Sequence, residues 1–190
     1  MIKKIVLAGP PRSGKSCLRE GLKQAIKTIP GAPYPYVITA CPDGEGSWFQ
    51  ETMNADPKVA EACKAAYKSK FTREFVNRIA DSVRNCSLEL TLIDIGGIPS
   101  IENEQICSSA THMVILAGNP SRIPEWREFA EKVGLTVIAE IFSDYNGTED
   151  VVAGLQSDNI LRGNVHHLER GENVSERLMI KALAQHLIRL

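Results

Sequence analysis

Aromatic residues are scarce, at 6% of the chain, and the charges nearly cancel, leaving a formal net charge of −1 over 190 residues. A general binder of nucleic acid or of acidic membranes carries an excess of Lys and Arg, so the balance gives no direct nucleic-acid signal and leaves room only for a local basic patch. No apolar run approaches the roughly 20 residues that span a bilayer, so no membrane insertion is expected. The first residues already read as a strand and not as a signal peptide, which predicts a cytoplasmic chain. Close cysteine pairs are missing too. Cys17, Cys41, Cys63, Cys86 and Cys107 are odd in number and form no C-x-x-C, which argues against a zinc site or a disulfide framework. They read as small buried residues; Cys41 alone follows a predicted strand on the side where a reactive thiol could act. Repeats, low-complexity runs and linkers are also absent. What remains, 43% hydrophobic and 24% charged, is ordinary for a globular protein and predicts one domain over residues 1–190.

The positive signal is at the start. Ile5, Val6, Leu7 and Ala8 form the short apolar run of a buried parallel strand. Gly9-Pro10-Pro11-Arg12-Ser13-Gly14-Lys15-Ser16 follows and satisfies G-x-x-x-x-G-K-[ST] at every fixed position. Glycines let backbone N–H groups curl around phosphate oxygens, and the positive end of the next helix points at them. Lys15 can reach β- and γ-phosphates, and the Ser16 hydroxyl can ligate Mg²⁺. A strand before the motif and a helix after it are the context that separates a phosphate-binding loop from a chance match.

Leu18, Leu22, Ala25, Ile26 and Ile29 repeat at helical spacing until Pro30-Gly31. Tyr36–Ala40 reads as a second strand, and residues 41–48 as a Gly- and Pro-containing loop. Residues 57–66 and 71–85 predict two helices, a helical insert of about 57–85 before a third strand at 88–94. Further on, the pattern predicts a short helix over 101–109, a strand over 111–117, a helix over 125–133 closed by Gly134, and a strand over 135–141. Residues 143–159 read as irregular, with a short helix near 149–155. Residues 161–168 read as a sixth, edge strand. Asn173 and Glu176 resemble a capping box opening a last helix over 174–189. Alternating strands and helices predict an α/β protein: the three-layer P-loop NTPase fold, a mostly parallel sheet with helices on both faces. Right-handed crossovers then bring residues 9–16, 41–48, 94–99, 118–122 and 143–146 to one rim.

On that rim, Asp94 closes a strand where P-loop enzymes carry the carboxylate that holds Mg²⁺ indirectly. Ser16 and Asp94 are thus the expected metal pair. Asp94-Ile95-Gly96-Gly97 fits D-x-x-G, so the Gly97 N–H can meet a γ-phosphate and make 96–104 a segment ordered by nucleotide. No Glu follows Asp94 directly, which favours a kinase- or GTPase-like branch over motor ATPases; Glu102 and Glu104 lie further along. The guanine reader N-K-x-D is reduced to Asn119-Pro120-Ser121-Arg122, which favours ATP. Asp43 and Glu45 can position a nucleophile, act as base or bind a second metal, or be solvated acids of a turn. Trp48 and Phe49 in the same loop suit contact with a ligand or partner. Lys64, Lys68, Lys70, Arg73 and Arg78 make the insert basic, which suits either a solvated face or a grip on an anionic acceptor. His166 and His167, with Arg162 or Arg170, belong either to a lid or to a plain edge hairpin. The expected nucleotide contacts are therefore Gly9, Pro10, Pro11, Arg12, Ser13, Gly14, Lys15, Ser16, Cys17, Gly97 and Asn119, with Lys15, Asp43, Glu45 and Asp94 as catalytic candidates and ATP and Mg²⁺ as cofactors.

Ala40–Trp48, Asp94–Gly97 with Glu102-Asn103-Glu104, Lys70-Phe71-Thr72 with Glu74-Phe75-Val76, and Pro124–Phe129 together resemble the P-loop ATPase module fused to, or encoded with, a CRISPR-associated ring-nuclease family. The resemblance spans most of the chain. It implies a regulatory ATPase of antiviral signalling with a ring-nuclease protein as partner, the nuclease portion having no counterpart in these residues. Beside it stand a kinase passing the γ-phosphoryl group to a small acceptor, and a non-catalytic nucleotide-binding scaffold.

Overall fold

A computed structural model describes residues 2–41, 71–155 and 157–190. Strand β1 (Lys3–Ala8) runs into helix α1 (Lys15–Lys27), and β2 (Pro35–Thr39) follows. Then come α2 (Arg73–Asn85), β3 (Leu90–Asp94), α3 (Ile101–Cys107) and β4 (His112–Ala117). A 3₁₀ turn (Pro120–Arg122) leads into α4 (Ile123–Val133) and β5 (Thr136–Asp144). The chain ends with β6 (Val151–Leu155), β7 (Leu161–His166) and α5 (Leu178–Arg189). The strands form one sheet in the order β2-β3-β1-β4-β5-β7-β6, parallel except for β6 against β7. This is the three-layer α/β architecture of P-loop NTPases.

Side-chain alternation in β1 builds both outer layers. Ile5 and Leu7 enter a core with Leu18 and Leu22 of α1 and Ile180, Leu183 and Leu187 of α5. Val6 and Ala8 enter the opposite core with Val76 and Val83 of α2, Ile106 of α3, and Trp126 and Phe129 of α4. The two lysines of β1 follow the same rule. Lys3 Nζ donates to the carbonyls of Leu187 and Ile188 at 3.2 and 2.8 Å, and Lys4 Nζ to that of Arg84 at 2.9 Å. Each buried ammonium thus caps the negative C-terminal end of a helix on its own face, an arrangement contributing about 0.3–2 kcal/mol.

Three expectations are corrected. Residues 149–155 do not form a helix: Val151–Leu155 is strand β6, where the β-branched Val151 and Val152 favour a strand and Gly154, at φ +84°, sits where the register with β7 shifts. Residues 161–168 are not an edge, because β7 lies between β5 and β6. The Asn173–Glu176 capping box does not open the last helix. Asn173 Oδ1 accepts instead from Ser175 N at 3.1 Å, and the helix starts at Leu178. Its free N–H at Met179 is met by Asp150 Oδ2 at 2.8 Å, a cap delivered from the loop before β6. The predicted 57–66 helix, and Asp43, Glu45, Trp48, Phe49, Lys64, Lys68 and Lys70, lie outside the described residues. Of the basic insert, Arg73 and Arg78 sit on the exposed side of α2. Among the described residues, no helix is long and apolar enough to cross a membrane.

Candidate functional site

The parallel strands point their C-terminal ends at one rim, with β1 central between β3 and β4. There the chain leaves β1 through Gly9 at φ +141°, so close to β4 that a Cβ would lie 1.8 Å from Leu116 O. Only glycine fits. Pro10 and Pro11 have no N–H to offer a phosphate, and their fixed φ stiffens the first half of the loop. Arg12 is exposed and left-handed at φ 62°, a conformation that costs a non-glycine residue about 1–3 kcal/mol and clusters at functional sites. Gly14 caps α1, and Leu18 N donates to its carbonyl at 2.9 Å. The first helical N–H groups, from Lys15 onward, are left facing the loop, where an anion is favoured.

Ser13 is 2% exposed, and its Oγ has no hydrogen-bond partner among the described residues. A buried hydroxyl in that state is costly unless a ligand completes it. Lys15 Nζ curls back to the carbonyls of Gly9 and Pro10 at 2.8 and 3.0 Å. Ser16 Oγ donates to Asp94 Oδ2 at 3.3 Å. A hydroxyl and a carboxylate are hard oxygen donors, and Mg²⁺ takes one or two such protein ligands beside phosphates and waters, so the pair fits that ion. Cys17, in the first turn of α1, has its thiol pKa raised by burial, against the opposing pull of Arg170, Arg19 and Arg177. It is therefore no thiolate nucleophile at neutral pH. Cys107 is pushed up to about 12 by burial and is inert.

The loop after β3 closes over the phosphate loop, with Gly97 against Pro11. Asn103 of α3 holds its backbone: Nδ2 donates to the carbonyls of Gly96 and Ile98 at 3.3 and 2.8 Å. Ile98 and Ile101 flank that loop, 62% and 76% exposed. Glu104 is drawn to Lys132 of α4 at 2.7 Å. Asn119 is exposed, and its Oδ1 caps the 3₁₀ turn by accepting from Ser121 N at 3.0 Å. The segment after β7 borders the loop as well, since a Cβ on Gly14 would meet Leu168 Cδ1 at 2.8 Å. His167 stacks on Tyr145 with ring centroids 4.8 Å apart, while Arg162 is engaged by Glu140 and Asp158. His166 thus closes β7, and His167 lies in the segment that follows it.

Sequence reasoning missed Arg19, whose Nη1 donates to Asp94 Oδ2 at 3.1 Å. Its place three residues after Ser16 was a usable signal, because i and i+3 share a helix face. Leu168 had no such signal.

No family model matches the chain, and no curated protein matches it. Similar folds are found among solved structures. One is described as a plasmid partition protein of Borrelia burgdorferi bound to AMPPNP, with a TM-score of 0.58 and 12% identity over 100% of this chain and 98% of that one. Another is a plasmid partition protein of the same organism, with a TM-score of 0.60 and 12% identity over 96% and 98% of the two chains. A third is a nucleotide-binding protein of Archaeoglobus fulgidus in complex with ADP, with a TM-score of 0.51 and 12% identity over 100% and 89%. At such identity the likeness shows the fold, that of a P-loop NTPase.

Proposed function

We propose that this chain binds ATP with Mg²⁺ at Gly9–Cys17 and hydrolyses it, as a regulatory ATPase whose nucleotide state sets contact with a partner. The observation that carries the reading is Ser13, a buried hydroxyl with no partner among the described residues, inside a complete phosphate-loop motif. The nucleotides bound to similarly folded proteins support it. Lys15 would leave the Gly9 and Pro10 carbonyls for the phosphates, and the N–H groups of residues 12–17 would cradle them. Ser16 and Asp94 would hold the metal, which when bound neutralises charge on the β- and γ-phosphates.

Ile98 and Ile101 support the regulatory part. They are large, apolar and exposed, Ile98 on the loop that Gly97 ties to the phosphate site and Ile101 at the start of α3, so a nucleotide-driven shift there would alter a sticky surface. A ring-nuclease partner rests on the motif resemblance alone; the similar structures carry no such link. Transfer of the γ-phosphoryl group to a small acceptor is the second reading. It is distinguished by ATP turnover that rises when a metabolite pool is added.

The test is calorimetric titration of ATP with Mg²⁺ into the wild type and Lys15→Ala. Tight binding lost by at least about 100-fold in a variant that keeps its circular dichroism spectrum is expected, since the Lys15 ammonium is held by carbonyls of the loop. Equal affinities would refute the site.

A further inference from the structure

Arg19 lies on α1, and its guanidinium is held between two carboxylates. Nη1 donates to Asp94 Oδ2 at 3.1 Å, while Nε and Nη2 reach Glu20 Oε1 at 3.1 and 3.0 Å. The Arg19 side chain is 12% exposed and that of Asp94 6%, so salt screens the pair little. The same Asp94 oxygen accepts from Ser16 Oγ. Both groups assigned to the metal therefore meet at one oxygen, and a fixed positive charge already sits on it.

A buried carboxylate without a cation is strongly disfavoured, and Arg19 supplies a cation at Asp94. A divalent ion meets the reverse situation: the guanidinium repels it and competes for the lone pairs of Oδ2. We infer that Arg19 is a built-in competitor of the metal at Asp94, so that Mg²⁺ is admitted only together with a polyphosphate whose negative charge offsets the guanidinium. The inference rests on the nucleotide reading above and adds to it a device that rejects free divalent ions. Arg19 touches neither phosphate nor reacting atoms in this account. It acts by holding or yielding Asp94.

The test compares ATP affinity in Mg²⁺ and in EDTA, by calorimetry, for the wild type, Arg19→Met and Arg19→Lys. Methionine keeps the apolar stem and removes the charge; lysine keeps the charge. The ratio of the two affinities is expected to rise about tenfold in Arg19→Met and to stay within about twofold of wild type in Arg19→Lys. A role in packing alone would lower both affinities together, and an unchanged ratio would overturn the inference, as would a fall. Wild-type melting curves give a readout that does not depend on a variant folding. Mg²⁺ alone, up to about 10 mM, is expected to leave the melting temperature unchanged, because an ion that does not bind the native state cannot stabilise it. A rise of several degrees without nucleotide would overturn the inference even if the wild type binds ATP normally. Wild type that binds no ATP in either buffer would defeat the nucleotide reading, and this inference with it.

Discussion

Gly97, on the loop after β3, approaches Pro11 of the phosphate loop so closely that a Cβ on it would lie 2.6 Å from the Pro11 nitrogen and 2.9 Å from its Cα. The obstacle is backbone, which cannot swing aside as a flexible side chain can. Pro11 yields least of all, since its ring fixes φ. The two loops must therefore move apart if Gly97 gains a side chain.

Gly97→Ala is accordingly expected to weaken ATP binding by at least about tenfold, or 1.4 kcal/mol, with little loss of stability. Stability is spared because Gly97 and Pro11 lie on the rim and neither belongs to the two buried clusters. Titration calorimetry beside a thermal melt checks it. Unchanged affinity would show that the contact between the loops carries nothing into the binding site.

Glu140 of β5 is 5% exposed and gathers two guanidiniums, Arg127 of α4 at 2.5 and 2.7 Å and Arg162 of β7 at 3.0 Å. Burial pushes its pKa up, yet hydrogen bonds and charge from both arginines outweigh burial and hold it below the ordinary 4.5. A carboxyl with a depressed folded value stabilises the protein above its unfolded value, and loses that contribution as pH falls through the folded one. Glu140→Gln should therefore cost about 1.5–3 kcal/mol at neutral pH, the usual worth of hydrogen bonds to a charged group. The gap between variant and wild type should narrow below about pH 4. Urea melts across that range measure it; a gap independent of pH would mean that the carboxylate's charge is not what stabilises.

How much of this was legible beforehand depends on the range of the forces involved. β1 and α1 were readable because Ile5, Leu7, Leu18 and Leu22 carry their periods within the segment itself. The strand Val151–Leu155 was not. It is short, it contains a left-handed glycine, and its identity comes from pairing with Leu161–Asn164. The start of α5 was misjudged for a similar reason. Asp150 supplies its cap from 29 residues upstream of Met179, where no local capping pattern can reveal it. Within the site, the phosphate loop and Asp94 could be named from the motif. Arg19 at Asp94 and Leu168 at Gly14 depend on which strand ends the sheet brings together.

ATP is expected to bind at least about tenfold more tightly than GTP, a difference of 1.4 kcal/mol. Discrimination against a base needs buried polar groups matched to it. The residues after β4 are exposed and lack the Lys and Asp of the guanine reader, Asn119 alone being kept. Pro120 has no side-chain donor, Arg122 pairs with Glu125 at 2.7 Å, and the Asn119 oxygen is used by Ser121 N. Competition between the two nucleotides for a fluorescent analogue decides it; equal affinities would place base recognition elsewhere on the rim.

The last prediction concerns the acids after β2. That strand runs beside β3 with Thr39 opposite Asp94, and Ala40 N donates to Asp94 O at 2.8 Å. The chain therefore leaves β2 at the level of the proposed metal carboxylate, and Asp43 is only three residues beyond Ala40. We propose that one of Asp43 and Glu45 orients the attacking group, and we favour Asp43, the nearer to the strand end. Glu45 stands between Gly44 and Gly46, and its backbone has more freedom to lose on being fixed. A residue acting mainly in the transition state lowers turnover and leaves ground-state binding nearly untouched. Asp43→Asn should thus slow ATP hydrolysis at least about 100-fold, within the range typical of a lost general base, at nearly constant ATP affinity. Glu45→Gln should slow it less. Single-turnover kinetics with saturating enzyme separates chemistry from product release. Rates close to wild type in both variants would remove these acids from the reaction.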